Sequence, residues 1–329
     1  MTPHPSVPGS LGAPAPVLVV GDANVDLILR GDVIPRFGQA EQLAKSGELV
    51  LGGSASIVAA GLARLAVPTT IVARVGDDAF GSFTLDALRG HGVHVDAVEV
   101  DPVVPTGLSV ILSTPDDRAI LTVLGTIPTL TPDRVRAVAR GVPAGDVRGH
   151  VHVASYFLQP GLARGLASLL ADLRADGLTT SLDTNWDPAQ VWAGLDEVLA
   201  HVDVLLPNTA ELRAIAGALG GPSEDDDACG SFLASRGPRV VVKDGARGGW
   251  SIGPDGVCAD APGLSVDVVD TTGAGDSFDA GYLAACAYGV SDEVTRLRWA
   301  TAAGSLSTLG TGGTGRQATL DELAQAGVW

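Results

Sequence analysis

Positive charge is scarce in this 329-residue chain: lysine occurs only at Lys45 and Lys243, and Lys plus Arg total 21 against 38 Asp plus Glu. The net charge of −17 argues against nucleic acid or an anionic membrane surface as a partner. Any phosphate ligand must be met locally, by backbone amides, a metal ion or a few arginines. Ala44 and Val242 precede the two lysines, so the Gly-Lys of a Walker loop is absent. A dinucleotide fingerprint is missing too, because GAGDSF places Phe278 where a third glycine is needed and the first strand leads into GDANVD. The HRD and DFG signatures of protein kinases do not occur. Cysteine is limited to Cys229, Cys258 and Cys286, with neither zinc nor redox spacing, which reads as reduced thiols in a cytoplasmic protein. No segment approaches the roughly 18 consecutive apolar residues of a membrane helix. Residues 1–16, MTPHPSVPGSLGAPAP, lack the basic and apolar parts of a targeting segment and are expected to be a disordered tail.

What is present is a βαβ rhythm. VLVVG at Val17 reads as a buried strand, GGSASIVAAGLARLAV as a glycine turn opening an amphipathic helix, and TTIVARVG as the next strand. The alternation returns in VHVASYFL, the helix GLARGLASLLADLRADG, TTSLDTN, the helical DPAQVWAGLDEVLAHV, DVLLPN and RVVVKDG. It predicts one α/β domain over 17–329, a doubly wound, mostly parallel sheet with helices on both faces. Two segments, about 30–50 and 98–124, read as extended pieces without a helix, hence a small inserted sheet. Ligands of such sheets lie beyond the C-terminal strand ends.

The stretch VVDTTGAGDSFDAGYLAA places a glycine turn and an acid at the start of an apolar helix. The amides of Gly273, Ala274 and Gly275 are suited to hold a phosphoryl group in flight, with Asp276 taking the acceptor's proton. The competing account makes Asp276 a partner of the helix dipole, worth about 0.3–1 kcal/mol. That account suits Asp279, one turn deeper, better still. His150 and His152 share a strand face without a third ligand and read as packing or surface residues.

With its surroundings, DTTGAGDSFDAGYLAA resembles the C-terminal signature of the ribokinase-like (PfkB-type) carbohydrate kinases, and GGSASIVAAGLARLAVPTTIVARVGDDAFG their N-terminal one, over about 17–315. The resemblance implies an ATP- and magnesium-dependent kinase with a β-sheet lid over a sugar. Asp276 becomes the base and Gly273, Ala274 and Gly275 the anion hole. Asn24 and Asp26 would bind sugar hydroxyls, while Gly52 and Gly53 admit the sugar close to the backbone beside Ser54. Asn208 and Glu211 match an Asn-x-x-Glu motif whose Glu in the family helps organise magnesium through water; an ordinary helix cap fits the same pair. Lys243, Gly245 and Gly248 look like the nucleotide-side loop, and Thr301 like the helix bordering adenine. Asp270 and Thr272 match positions that in some members sit by a monovalent cation such as K+. Ile57 replaces a sugar-contacting asparagine, which suggests an acceptor with fewer hydroxyls on that side, or plain packing. Tyr156 and Asn185, at strand ends, are candidates for the acceptor. Asp187 stands where members acting on acidic or phosphorylated sugars offer arginine, which favours a neutral sugar, polyol or nucleoside. Exposed lid edges suggest a homodimer.

Overall fold

The computed structural model describes residues 11–38, 40–114, 117–142 and 149–328. Its strands are β1 (Val17–Val20), β2 (Asn24–Gly31), β3 (Ala44–Gly52), β4 (Thr69–Val72), β5 (Arg74–Gly76), β6 (Glu99–Asp101), β7 (Gly107–Ser113), β8 (Arg118–Val123), β9 (His150–Val153), β10 (Thr179–Leu182), β11 (Val204–Leu205), β12 (Arg239–Lys243), β13 (Gly249–Ile252) and β14 (Cys258–Ala261). The helices are α1 (Ser54–Arg64), α2 (Ala79–Gly90), α3 (Pro132–Ala139), α4 (Pro160–Ala163), α5 (Leu166–Ala175), α6 (Leu195–Leu199), α7 (Thr209–Ala218), α8 (Asp226–Ala234), α9 (Ala274–Ala287), α10 (Glu293–Ser307) and α11 (Leu320–Gln325).

Eight strands form the main sheet in the order β14-β13-β12-β11-β10-β9-β1-β4, parallel except at β12–β13 and β13–β14. The unbroken apolar run of β1 follows from burial on both faces. Val17 and Val19 pack with Tyr282 of α9 and Trp299 of α10, whereas Leu18 and Val20 point the other way, into a core with Leu166 and Leu169 of α5. Inside the sheet both ring nitrogens of His150 are engaged, by Thr179 and Ser181, and Nδ1 of His152 by Ser181, while burial pulls their pKa values down to about 3 and about 4. Both are neutral packing residues.

The lid is a separate four-stranded sheet, β3-β2-β7-β8. It begins at Asn24, earlier than the expected boundary near 30, because the polar-spotted NVDLILRG alternates between a buried and a more exposed face and pairs with both β3 and β7. Of the expected second lid segment, β6 pairs with β5 in a two-stranded sheet of its own.

Two further expectations are corrected. Residues 1–10 of the expected tail lie outside the described residues, but Ala15 is buried and its N–H donates to the Ala287 carbonyl (2.9 Å), so the chain packs before β1 starts. The helix expected over DPAQVWAGLDEVLAHV shrinks to α6, since the Asp187 carboxylate accepts from the N–H groups of Ala189, Val191 and Trp192 and draws that stretch into a turn.

Candidate active site

The C-terminal ends of β1, β10 and β12 converge on the start of α9, where strand order switches direction around β1. Beyond β1, buried Asp22 accepts from the N–H groups of Ser54 (3.1 Å) and Ala55 (3.0 Å), filling the role of an N-cap for α1. The preceding Gly53 has φ +88°, and a Cβ there would stand 2.7 Å from the Asp22 carbonyl oxygen. A side chain on Gly52 would run into the Asp26 carboxylate. The next residues enter the lid, where Asn24 Nδ2 donates to Asp26 Oδ1 (3.0 Å). Burial, with Asp22 nearby, pushes Asp26 up to about 7.

Gly273 caps α9 with φ +71°, a conformation a side chain would strain, and a Cβ would strike Gly313. Of the three expected anion-hole amides, that of Ala274 donates to the Thr271 carbonyl (3.2 Å), while those of Gly273 and Gly275 make no hydrogen bond among the described residues. Asp276 caps none of its own helix; its Oδ1 accepts the Ser54 hydroxyl instead. Ser54 in turn accepts from Asn185 Nδ2 (3.1 Å), and Asn185 Oδ1 accepts the Ser155 N–H (2.8 Å). Burial lifts the Asp276 pKa to about 7, against the lowering effect of Ser54.

Two cavities meet at this helix start. One, of about 180 Å³, lies under the lid and is lined by Asp22, Asn24, Asp26, Gly53, Ser54, Ile57, Thr272, Gly273 and Asp276, with Arg118 and a wall of Ile111, Ile120, Ile127 and Leu158. The other, of about 510 Å³, is lined by Lys243, Gly245, Gly248, Ala274, Gly275, Phe278 and Thr301, with Leu264, Val266 and Val268. Most expected residues thus come together. Tyr156 and Asn185 line neither cavity: the Tyr156 hydroxyl donates to the Gly194 carbonyl (3.1 Å) within the core, and Asn185 reaches Asp276 only through Ser54. Asp187 is also withdrawn, buried under its three amides, so its charge does not face the acceptor space. Asn208 and Glu211 form a reciprocal capping box on α7 and line neither cavity.

Behind Asp276 lies a cluster the sequence reading underrated. Lys243 Nζ donates to Asp183 Oδ2 (2.7 Å) and Asp279 Oδ2 (3.2 Å). Burial opposes the lysine's charge, but Asp183, Asp279 and Glu211 outweigh it and hold its pKa above the ordinary range. Asp279 is fully buried, which drives its pKa well up despite Lys243, whereas Asp183 is held below the usual range by the lysine against its own burial. Asp279 is therefore a core hydrogen-bond partner of Lys243 and not a dipole partner. Oxygens of Asp183, Asp276 and Asp279 lie within 4.8 Å of one another, a spacing that could hold a metal ion, yet the Lys243 ammonium already serves two of the three. Glu211 is the other carboxylate nearby that could serve magnesium when ionised: it is buried near that cluster and its Oε2 accepts from the Asn208 N–H, although burial with the nearby Asp183 lifts its pKa to about 7. Such a carboxylate would reach magnesium through water.

Arg118 and Asp22 were missed because their roles depend on distant contacts: Arg118 reaches the site only through the folding of β8, and Asp22, although within GDANVD, shows its role only where α1 begins against β1. Lys243, as one of only two lysines, was the available signal for the buried cluster.

Known proteins resemble this chain over nearly its whole length. An ATP-dependent ribose-1-phosphate kinase from Halopiger xanaduensis is 32% identical over 312 residues, 94% of this chain and 96% of that protein. The structure of Arabidopsis thaliana ribokinase complexed with ribose and ATP superposes with a TM-score of 0.80 at 27% identity, covering 95% of this chain and 98% of the other. A Vibrio cholerae fructokinase double mutant with fructose, ADP and potassium ion bound has a TM-score of 0.78 at 23% identity, covering 95% and 98%. Residues 15–319 match the pfkB family carbohydrate kinase domain, and the chain belongs to that family of ATP-dependent kinases acting on alcohol groups.

Proposed function

We propose that this kinase transfers the γ-phosphoryl group of ATP to a hydroxyl of a small neutral sugar or polyol, with Asp276 as general base and the start of α9 as anion hole. The observation that carries the reading is the division of one helix turn between two cavities: Gly273 and Asp276 face the lid side, Ala274 and Gly275 the larger side. ATP in the larger cavity would place its terminal phosphate at the free amides, and an acceptor under the lid would present its hydroxyl to Asp276. The proton passes from that hydroxyl to the Asp276 carboxylate while the oxygen takes the phosphoryl group and ADP leaves. Magnesium, held by Glu211 through water, would neutralise charge on the nucleotide phosphates.

The preference for a neutral acceptor rests on the cavity lining: Asp22, Asp26 and Asp276 stand against Arg118 alone, whose Nη1 is already engaged by Thr272 Oγ1 (2.9 Å). A nucleoside is the second reading, favoured by the apolar wall of Ile57, Ile111, Ile120, Ile127 and Leu158, which suits a base or a deoxygenated face. We place the reaction in the cytoplasm, in line with three free thiols and with no described helix long and apolar enough to cross a membrane. Pairing of two copies through the lid edge β8, with exposed Ile120, Leu121 and Val123, completes the proposal.

The deciding experiment incubates the protein with ATP, magnesium and a panel of sugars, cyclitols, nucleosides and ribose 1-phosphate while ADP release is followed. Turnover on neutral acceptors is expected; turnover on ribose 1-phosphate alone would overturn the neutral assignment.

A further inference from the structure

Asp270 ties three segments together just before the α9 turn. Its Oδ1 accepts from the Thr272 N–H (2.9 Å) and hydroxyl (2.7 Å); its Oδ2 accepts from the Gly312 N–H (3.0 Å) and from Arg30 Nη2 (3.2 Å). A carboxylate offers about four lone-pair directions, and four donors fill them. These hydrogen bonds outweigh burial and, with Arg30, hold Asp270 below the usual carboxylate range. The Thr272 hydroxyl oxygen also accepts from Arg118.

The family resemblance puts a monovalent cation beside these two positions in some members, and the V. cholerae fructokinase structure contains potassium. A metal cation does not fit here. It would have to displace one of the four donors and then sit against the positive guanidinium of Arg30.

We propose that Arg30 takes the place of a monovalent cation, neutralising Asp270 and holding the turn before α9 so that nucleotide binding needs no potassium. Arg30 lies on β2, whose other end carries Asn24 and Asp26 into the acceptor cavity, and its Nη1 stands 3.5 Å from Glu48 on β3. One lid strand thus supplies both the acceptor contacts and the fixed cation. The inference rests on the kinase reading for its nucleotide site, but its test separates the two.

ADP with magnesium is titrated calorimetrically into the protein in potassium, sodium or tetramethylammonium chloride at equal ionic strength. The wild-type Kd is expected to vary by less than about twofold among the salts, whereas Arg30→Met should lose on the order of tenfold in tetramethylammonium and regain most of it in potassium. Potassium dependence in the wild type, or an Arg30→Met variant indifferent to the salt, overturns the proposal. Should that variant fail to fold, the wild-type salts still decide, together with crystals soaked in thallium(I): a thallium ion on the Asp270 carboxylate overturns the proposal, and its absence there is expected. No ADP binding in any salt would count against the kinase reading, and the thallium soak would then decide the cation question alone.

Discussion

Ser54 and Asp276 meet across 222 positions of sequence, the serine hydroxyl donating to the aspartate's Oδ1 and joining the first turn of α1 to the first turn of α9. Through this bond the carboxylate engages α1, leaving its own helix amides uncapped, so the loss of Asp276 should be felt in chemistry more than in helix stability. Replacing it, as Asp276→Asn, should lower kcat by on the order of 10²- to 10⁴-fold while ADP affinity stays within about twofold. A wild-type rate would leave Asp276 no part in proton transfer. Because burial raises its pKa to about 7, turnover should fall as pH drops through that value. The stability sign is opposite to that of a salt-bridged aspartate: with the folded pKa raised, stability is lost as pH climbs from about 4 to about 7. The asparagine variant should therefore melt higher than wild type near pH 8, with little difference near pH 4.

Ser54→Ala removes the bond that opposes burial at Asp276 and leaves Asn185 Nδ2 without this partner. The base should then bind its proton more tightly. The acid limb of the kcat profile is expected to move up by about one pH unit, with roughly tenfold lower turnover at neutral pH and an intact thermal transition. An unmoved limb would mean that Ser54 does not tune the base.

Lys243 is the counter-ion of the Asp183 carboxylate and also donates to buried Asp279, and Lys243→Met would strand the Asp183 charge. The expected loss is about 3–5 kcal/mol in urea unfolding. Asp279→Asn mimics the protonated form that burial favours, so that change alone should be near neutral, and combined with Lys243→Met it should leave the loss about as large as in Lys243→Met alone. Equal losses for both single variants would show that Asp279 carries its charge in the folded protein.

Much of this architecture was legible because hydrophobic patterning reports burial: VLVV reads as a strand covered on both faces, and GGSASIVAAGLARLAV as a helix, although α1 is buried all round from Ser54 to Leu62 and not along one amphipathic face as the sequence suggested. The glycine turn and Asp276 were legible for a related reason, since few backbones other than Gly273 at φ +71° can open a helix there. Contacts made across the fold left no local trace. The pairing of Asp279 with Lys243, of Arg30 with Asp270 and of Arg118 with Thr272 joins residues 36, 240 and 154 positions apart, so no motif window could contain them. DPAQVWAGLDEVLAHV misled for the opposite reason, a local one: an acid ahead of an apolar pattern reads as a helix start, whereas this acid gathers three amides into a turn.

That turn supplies the last prediction. Asp187 reads from sequence as a charge that repels acidic acceptors, but its oxygens accept from Ala189 (2.9 Å), Val191 (2.8 Å) and Trp192 (2.8 Å), and the residue is buried away from the lid-side cavity. The turn it holds includes Gln190 and Trp192, both at positive φ, and positions the Trp192 ring against Phe157 and Trp186. Removing the carboxylate leaves the three amides without this acceptor. Asp187→Ala should therefore cost about 2–4 kcal/mol of stability in urea unfolding, with the ranking of acceptors unchanged. A variant as stable as wild type that newly phosphorylates ribose 1-phosphate or a sugar acid would return Asp187 to the role of a charge filter at the acceptor site.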